Sequence, residues 1–206
     1  GGTPTNGYAC PKNGAKKCAS CPAGMEFADR ARTSCKKSKS GLKCGGAACE
    51  YLWTGIGGTR VRDLTRNSRF PDKPNSVINL ADPKKNKRKT FSMTSVGNNM
   101  GAMLEGFIKA TATGRVTFAT GSDDSSEVWA ARSPNTMARL YKMVELRGCC
   151  RTVYGRASLY WVKDRAYYIK ALVKEGGGGQ YLNVGISMGY RTYEPIPVSV
   201  LVNLIS

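Results

Sequence analysis

The chain has 206 residues, 41% of them hydrophobic, with 32 Lys and Arg against 14 Asp and Glu and no histidine, for a formal charge of +18. That suffices for one domain with a real core, or one domain and a small appendage; no apolar run approaches the roughly 20 residues of a membrane span. Lack of histidine removes the usual triad base and proton shuttle. The charge directs the chain toward polyanions: acidic polysaccharide, anionic cell surfaces or mineral, with nucleic acid not the expected partner.

The opening "GGTPTNGYAC" has neither the basic nor the apolar part of a signal peptide, so the sequence reads as a mature chain, already processed if it was exported. Six of the eight cysteines (Cys10, Cys18, Cys21, Cys35, Cys44, Cys49) crowd a Gly- and Lys-rich stretch too poor in apolar residues to hold itself together. That pattern predicts a disulfide-stapled module of a secreted protein. The rival is a zinc site in which Cys44 and Cys49 complete four sulfurs with "CASC". Composition changes at "CGGAACEYLW", giving an expected division into a cysteine-rich module, 1–49, and a β domain, 50–206.

Next comes "RNSRFPDKPNSVINLADPKKNKRK", whose three prolines and several Asn and Asp residues predict an ordered surface excursion. Its last part, Lys84, Lys85, Lys87, Arg88 and Lys89, reads either as a polyanion-binding patch or as a solvated loop. "NMGAMLEGFIKA" is ambiguous by period, and its glycines and flanking turns tip it to strand. The runs "RVTFATG", "SEVWAA", "ARLYKMVEL", "SLYWV", "AYYIKALVKE", "YLNVGISM" and "VSVLVNLI" are short, β-branched and aromatic, and bounded by turn residues. They predict an all-β fold, an antiparallel sandwich or barrel.

Within this pattern "SDDSS" sets Asp123 beside Asp124. Neighbouring strand side chains point opposite ways, so both carboxylates reach one cation only if the backbone kinks. Ca²⁺ wants about six to eight oxygens, and Gly176 to Gly179 would let backbone carbonyls approach closely. The other reading is a turn whose carboxylates cap backbone N–H groups. Tyr160, Trp161, Tyr167 and Tyr168 fit core or half-buried strand positions, while Trp53 and Trp129 adjoin turns where a ring could stack on a sugar, the core being the alternative. Cys149 and Cys150 would close a strained ring by bridging each other, so at least one is expected to pair outward.

In order, "WTGIGGTRVRDLTRNSRFPDKPN", "LEGFIKATATGRVTFATGSDDSSEVWAA", "AYYIKALVKEGGGG" and "YLNVGI" resemble the PA-fourteen domain, a β-barrel module first named from anthrax protective antigen and found in yeast flocculins and glycosidases. The resemblance covers about Tyr51 to Tyr193 and implies an antiparallel β-barrel or sandwich. In the adhesin branch a cis-linked aspartate pair holds Ca²⁺, which coordinates sugar hydroxyls; the matching pair is Asp123 and Asp124. The loop from Glu175 to Gln180 would complete the shell, with Glu175 or Gly176 where an asparagine is expected, a departure. The implied ligand-binding set is Asp123, Asp124, Glu175, Gly176, Gly177, Gln180 and Trp129, and the implied metal set Asp123, Asp124 and Glu175.

The function expected is an extracellular, non-enzymatic module for glycan recognition or adhesion. The alternative is a structural protein of a matrix, biomineral or assembly that meets anionic polymer, mineral or matrix proteins through its basic surface. A glycosidase needs carboxyl groups about 5–10 Å apart across a bond, which adjacent residues of one turn supply poorly.

Overall fold

The computed structural model describes residues 42–94 and 97–204, together with the backbone of 25–27 and 35–37. Backbone contacts divide the chain into Gly1–Gly41 with Leu204–Ser206, and Leu42–Asn203. In the first unit β1 (Met25–Phe27) pairs antiparallel with β2 (Cys35–Lys37), Met25 opposite Lys37. The expected pairings of Cys10, Cys18, Cys21 and Cys35 lie outside the described residues. Cys44 and Cys49 form a disulfide with each other in the larger unit, so they do not complete a zinc site.

The larger unit is two antiparallel sheets. In one, β3 (Ala48–Thr54), β4 (Ser76–Asn79), β5 (Met100–Lys109), β7 (Ser125–Ala131), β8 (Leu140–Leu146) and β11 (Ala166–Glu175) run in the order β4-β3-β5-β11-β7-β8. In the other, β6 (Gly114–Ser122), β10 (Leu159–Trp161), β12 (Leu182–Met188) and β13 (Arg191–Tyr193) run β10-β6-β12-β13, and β9 (Arg151–Tyr154) also pairs with β6. Alternation sends Val116, Phe118, Val184 and Ile186 of the second sheet into one core with Leu104, Ile108, Val128, Ile169 and Val173 of the first. Trp161 stacks on Tyr167 at 4.4 Å within it. Each fully buried large side chain contributes about 1.5–3 kcal/mol. The all-β sandwich expected from the alternating runs is what forms.

The outer face of the six-stranded sheet is partly covered by a short helix, α1 (Val61–Thr65), which buries Val61 and Leu64. A Cβ at Gly101 would stand 2.7 Å from Leu64 Cδ1, so the helix seats where β5 has no side chain. Trp53 also lies under this cover, buried, 5.0 Å from the ring of Phe70 and donating from Nε1 to the Arg69 carbonyl. Covered on both faces, β11 reads as the apolar run seen in "AYYIKALV", interrupted only by Lys170.

Two expectations are corrected. "VSVLVNLI" is not a strand: Val198–Val200 is a 3-10 turn, and only Leu201 bridges to Ile108. Pro195 and Pro197 remove two ladder donors just ahead of it. Tyr160 is 62% exposed, because on the three-residue β10 it points away from the core that takes Leu159 and Trp161.

Candidate functional site

β6 and β7 are joined by Asp123 and Asp124 but belong to different sheets, so this turn links the two layers. Hydroxyls tie its base: Ser122 Oγ donates to Ser126 Oγ at 2.8 Å, and Ser126 Oγ lies 2.9 Å from Thr120 Oγ1. Asp124 adopts φ 55°, a left-handed conformation that Asp tolerates better than most residues. The two cis peptide bonds among the described residues precede Pro71 and Pro195. The expected cis link between Asp123 and Asp124 is thus corrected: the reversal is carried by the left-handed Asp124.

Both carboxylates cap backbone. Asp123 Oδ1 accepts from the Asp124 N–H at 3.0 Å, and Asp124 Oδ2 accepts from the Gly176 N–H at 2.8 Å. The glycine loop therefore does face the turn. A Cβ at Gly179 would lie 2.7 Å from Asp123 Oδ2, a space only glycine leaves open, and Gly178 has φ 114°. Gln180 donates its amide to Asn98 Oδ1 at 3.1 Å and to the Gly178 carbonyl, while the Asn99 N–H donates to the Gly176 carbonyl at 2.9 Å. Gly177 sits next to Asn98, whose Cγ would be 3.9 Å from an added Cβ.

Glu175 closes β11 with 1% exposure, and neither carboxylate oxygen has a hydrogen-bond partner among the described residues. Burial first, then the charges of Asp123 and Asp124, push its carboxyl up to about 7; the nearby Gly177 N–H, short of hydrogen-bond geometry, and Lys174 pull the other way. Lys174 is itself fully buried, donating to the carbonyls of Gly58 and Glu175 at 2.6 Å each. Burial lowers its pKa, against the carboxylates of Asp63, Asp124 and Glu175 that hold it up. The turn thus gathers three carboxyl groups beside one internal ammonium.

Donors sharing one Ca²⁺ at about 2.3–2.6 Å lie within about 5 Å of one another. Among the described residues the group meeting that spacing is Asp123, Cys149 and Cys150, whose donor atoms lie within 4.8 Å. The three-carboxylate shell of Asp123, Asp124 and Glu175 is not closed at that distance, although Glu175 feels both aspartates. Cys149 and Cys150 are joined to each other, which corrects the expectation of outward pairing: a turn with positive φ at Gly148 and Cys150 brings the neighbouring sulfurs together. Cys149 Sγ stands 2.9 Å from Asp123 Oδ1, but a disulfide sulfur has no proton to give it.

No protein-family model and no curated protein matches the sequence. Among solved structures, the A domain of epithelial adhesin 6 from Candida glabrata aligns over 76% of this chain and 86% of its own, with TM-score 0.52 and 12% identity. The chain has the PA14-type fold. The A domain of epithelial adhesin 9 from the same organism gives TM-score 0.51 at 10% identity over 75% of this chain and 87% of its own. The PA14 domain of the MpAFP antifreeze protein aligns at 18% identity and TM-score 0.38; the chain spans half of that domain's length (50%), and the match covers 50% of this chain. At these identities the likeness is one of fold.

On this PA14 fold Asp123, Asp124, Gly176, Gly179 and Gln180 come together, with Glu175 behind them. Trp129 does not join them. It lies further along β7, its Nε1 donating to Glu127 Oε2 at 2.9 Å and its ring between Lys142 (5.3 Å) and Lys170 (5.9 Å). Lys84, Lys85, Lys87, Arg88 and Lys89 are all exposed around a buried Asn86, whose amide donates to the carbonyls of Leu80 and Thr90. Sequence reasoning missed Asn98, Lys174 and Gly58. The pair Asn98–Asn99 before an apolar run was the one visible signal; Lys174 read as an ordinary strand lysine.

Proposed function

We propose that this protein is an extracellular, non-enzymatic glycan-binding module, holding Ca²⁺ at the turn of Asp123 and Asp124 and taking its sugar there. The observation that carries the reading is Glu175: a buried carboxyl with both oxygens unpartnered among the described residues, beside two aspartates, gathers negative charge at a cost that a hard cation held at the turn would offset. Oxygen donors of this kind suit Ca²⁺. Asp123 and Asp124 would hold the ion, each having one oxygen not used in capping, and Glu175 would add negative charge from behind. When bound, the ion would supply open coordination positions for sugar hydroxyls. Asn98 and Gln180 then offer amide groups at the rim, and Lys174 offsets part of the charge of Asp124 and Glu175. The same fold serves the adhesin A domains solved with Galb1-3GlcNAc, which supports a glycan as ligand.

Calorimetry of Ca²⁺ with the native protein and with Asp123→Asn/Asp124→Asn tests this, followed by glycan-array binding with and without chelator. Ca²⁺ uptake by the native protein alone, and glycan binding lost in chelator, are expected. A folded native protein that takes up no calcium at millimolar concentration would make the pair a turn-capping device.

One observation favours a second reading, the structural protein that binds anionic polymer or mineral. The five cations of 84–89 are presented on an ordered loop built around Asn86, whereas a merely solubilising run needs no such internal plug. Strong salt dependence of polyanion binding, insensitive to chelator, marks this mode.

A further inference from the structure

The outer face of the six-stranded sheet carries a groove of about 340 Å³ between α1, β7 and β11. Its walls include Val61, Arg62, Phe70, Trp129, Lys170 and Leu172. Register explains how it is furnished. Lys170 stands opposite Glu105 on one side and Trp129 on the other, and Trp129 opposite Lys142, so these four form one row across four strands.

Three members of the row are satisfied. Glu105 accepts one tyrosine hydroxyl on each oxygen, from Tyr51 at 2.6 Å and from Tyr168. Lys142 pairs with Glu127 at 3.0 Å and Glu145 at 3.3 Å. Trp129 donates to Glu127. Lys170 differs: it is half-buried and, among the described residues, makes neither a hydrogen bond nor an ion pair, its Nζ standing 5.9 Å from the centre of the Trp129 ring. Burial lowers its pKa, against Glu105 and Glu127, which hold it up. A partly desolvated ammonium without an oxygen partner is destabilising, and the oxygens of the two nearest carboxylates already have donors. Arg62, exposed at the groove's mouth with its Nε 4.0 Å from Asp63 Oδ1, adds a second, partly offset positive charge. Below it Val61, Phe70 and Leu172 give an apolar floor, and the volume falls at the low end of the about 300–1,000 Å³ of small-molecule sites.

We propose that this groove is a calcium-independent site for one acidic pyranose residue of a polysaccharide, its anionic group on Lys170 Nζ and its C–H face against Trp129 and Phe70. An aromatic wall, an apolar floor and one unspent cationic donor are what a ring carrying a single negative charge needs. Uronate and sulfate ester share that chemistry.

The test is tryptophan emission in chelator at physiological salt. Trp53 and Trp161 are fully buried, so Trp129 reports on the groove. The titrants are tetragalacturonate, a sulfated galactose tetrasaccharide, its neutral counterpart and tetraglutamate. Saturable change with one or both acidic sugars is expected, the pair ranking uronate against sulfate, and none with the neutral sugar. Lys170→Met should weaken binding about tenfold, the usual loss for one charge-assisted hydrogen bond, with thermal midpoint kept or raised. Arg62→Gln should cost about threefold, as a rim charge does. Equal response to the neutral sugar, equal binding of tetraglutamate, or unaltered affinity in Lys170→Met overturns the assignment. If Lys170→Met fails to fold, Lys170→Gln and Arg62→Gln decide by the same criterion.

Discussion

Glu175→Gln should flatten the pH dependence of stability between about pH 5 and pH 8. Glu175 has its carboxyl raised from 4.5 to about 7 in the folded state. Across that interval the native protein binds more protons than the unfolded chain, so the favourable contribution is present at low pH and is lost as pH rises through about 7. At about 1.36 kcal/mol per pH unit the loss totals about 3 kcal/mol, or about 6–12 °C in thermal midpoint for a domain of this size. The glutamine amide brings a constant cost of about 1–3 kcal/mol if it too goes unpartnered. The slope, not the absolute midpoint, therefore carries the information. Differential scanning calorimetry of both proteins in chelator, at pH 5, 6, 7 and 8 or so, gives the comparison. Parallel curves would refute the assignment of a buried, proton-holding carboxyl at 175. Added calcium should stabilise the native protein most at high pH and the variant, which keeps Asp123 and Asp124, by a smaller amount that varies less with pH.

Gly179→Ala should displace the Asp123 carboxylate and weaken calcium uptake, because its Cβ would fall 2.7 Å from Asp123 Oδ2, while Gly177→Ala, with 3.9 Å to its nearest neighbour, should leave the fold's stability within about 1 kcal/mol; calorimetry and thermal melts check the pair. Glu105→Leu should lower unfolding free energy by about 3 kcal/mol or more, since two buried tyrosine hydroxyls lose their acceptor at once; urea denaturation measures it. Neutralising Lys84, Lys85, Lys87, Arg88 and Lys89 should cut the salt dependence of retention on a heparin column, and unchanged retention would mean a solvated loop only.

The strands were legible where alternation and turn residues agreed. "AYYIKALVKE" becomes β11 residue for residue, because both of its faces are covered and seven of its ten positions are apolar. "VSVLVNLI" misled because apolar content speaks of burial, and burial here is achieved by a 3-10 turn and one bridge instead of a ladder. α1 was invisible, since five residues give no helical period to read. The acid turn could be placed from Asp123, Asp124 and the glycines, as turn chemistry is local. Asn98 and Lys174 could not, because the loop residues they meet, Gln180 and Gly58, lie 82 and 116 positions away in the chain. Trp129 was misassigned for a related reason: it is near the turn in sequence, but the strand carries it away, past a register irregularity at Val128/Trp129, to another surface.

A hairpin whose two strands lie in opposite sheets behaves mechanically like the spine of a book. At the Asp123–Asp124 end the layers are one continuous backbone, laced by Thr120, Ser122 and Ser126, so shear between the sheets there must stretch covalent chain as well as hydrogen bonds. Load applied through a ligand at this corner enters both layers at once and is shared, whereas the same load on an edge strand such as β8 or β13 would unzip one ladder bond by bond.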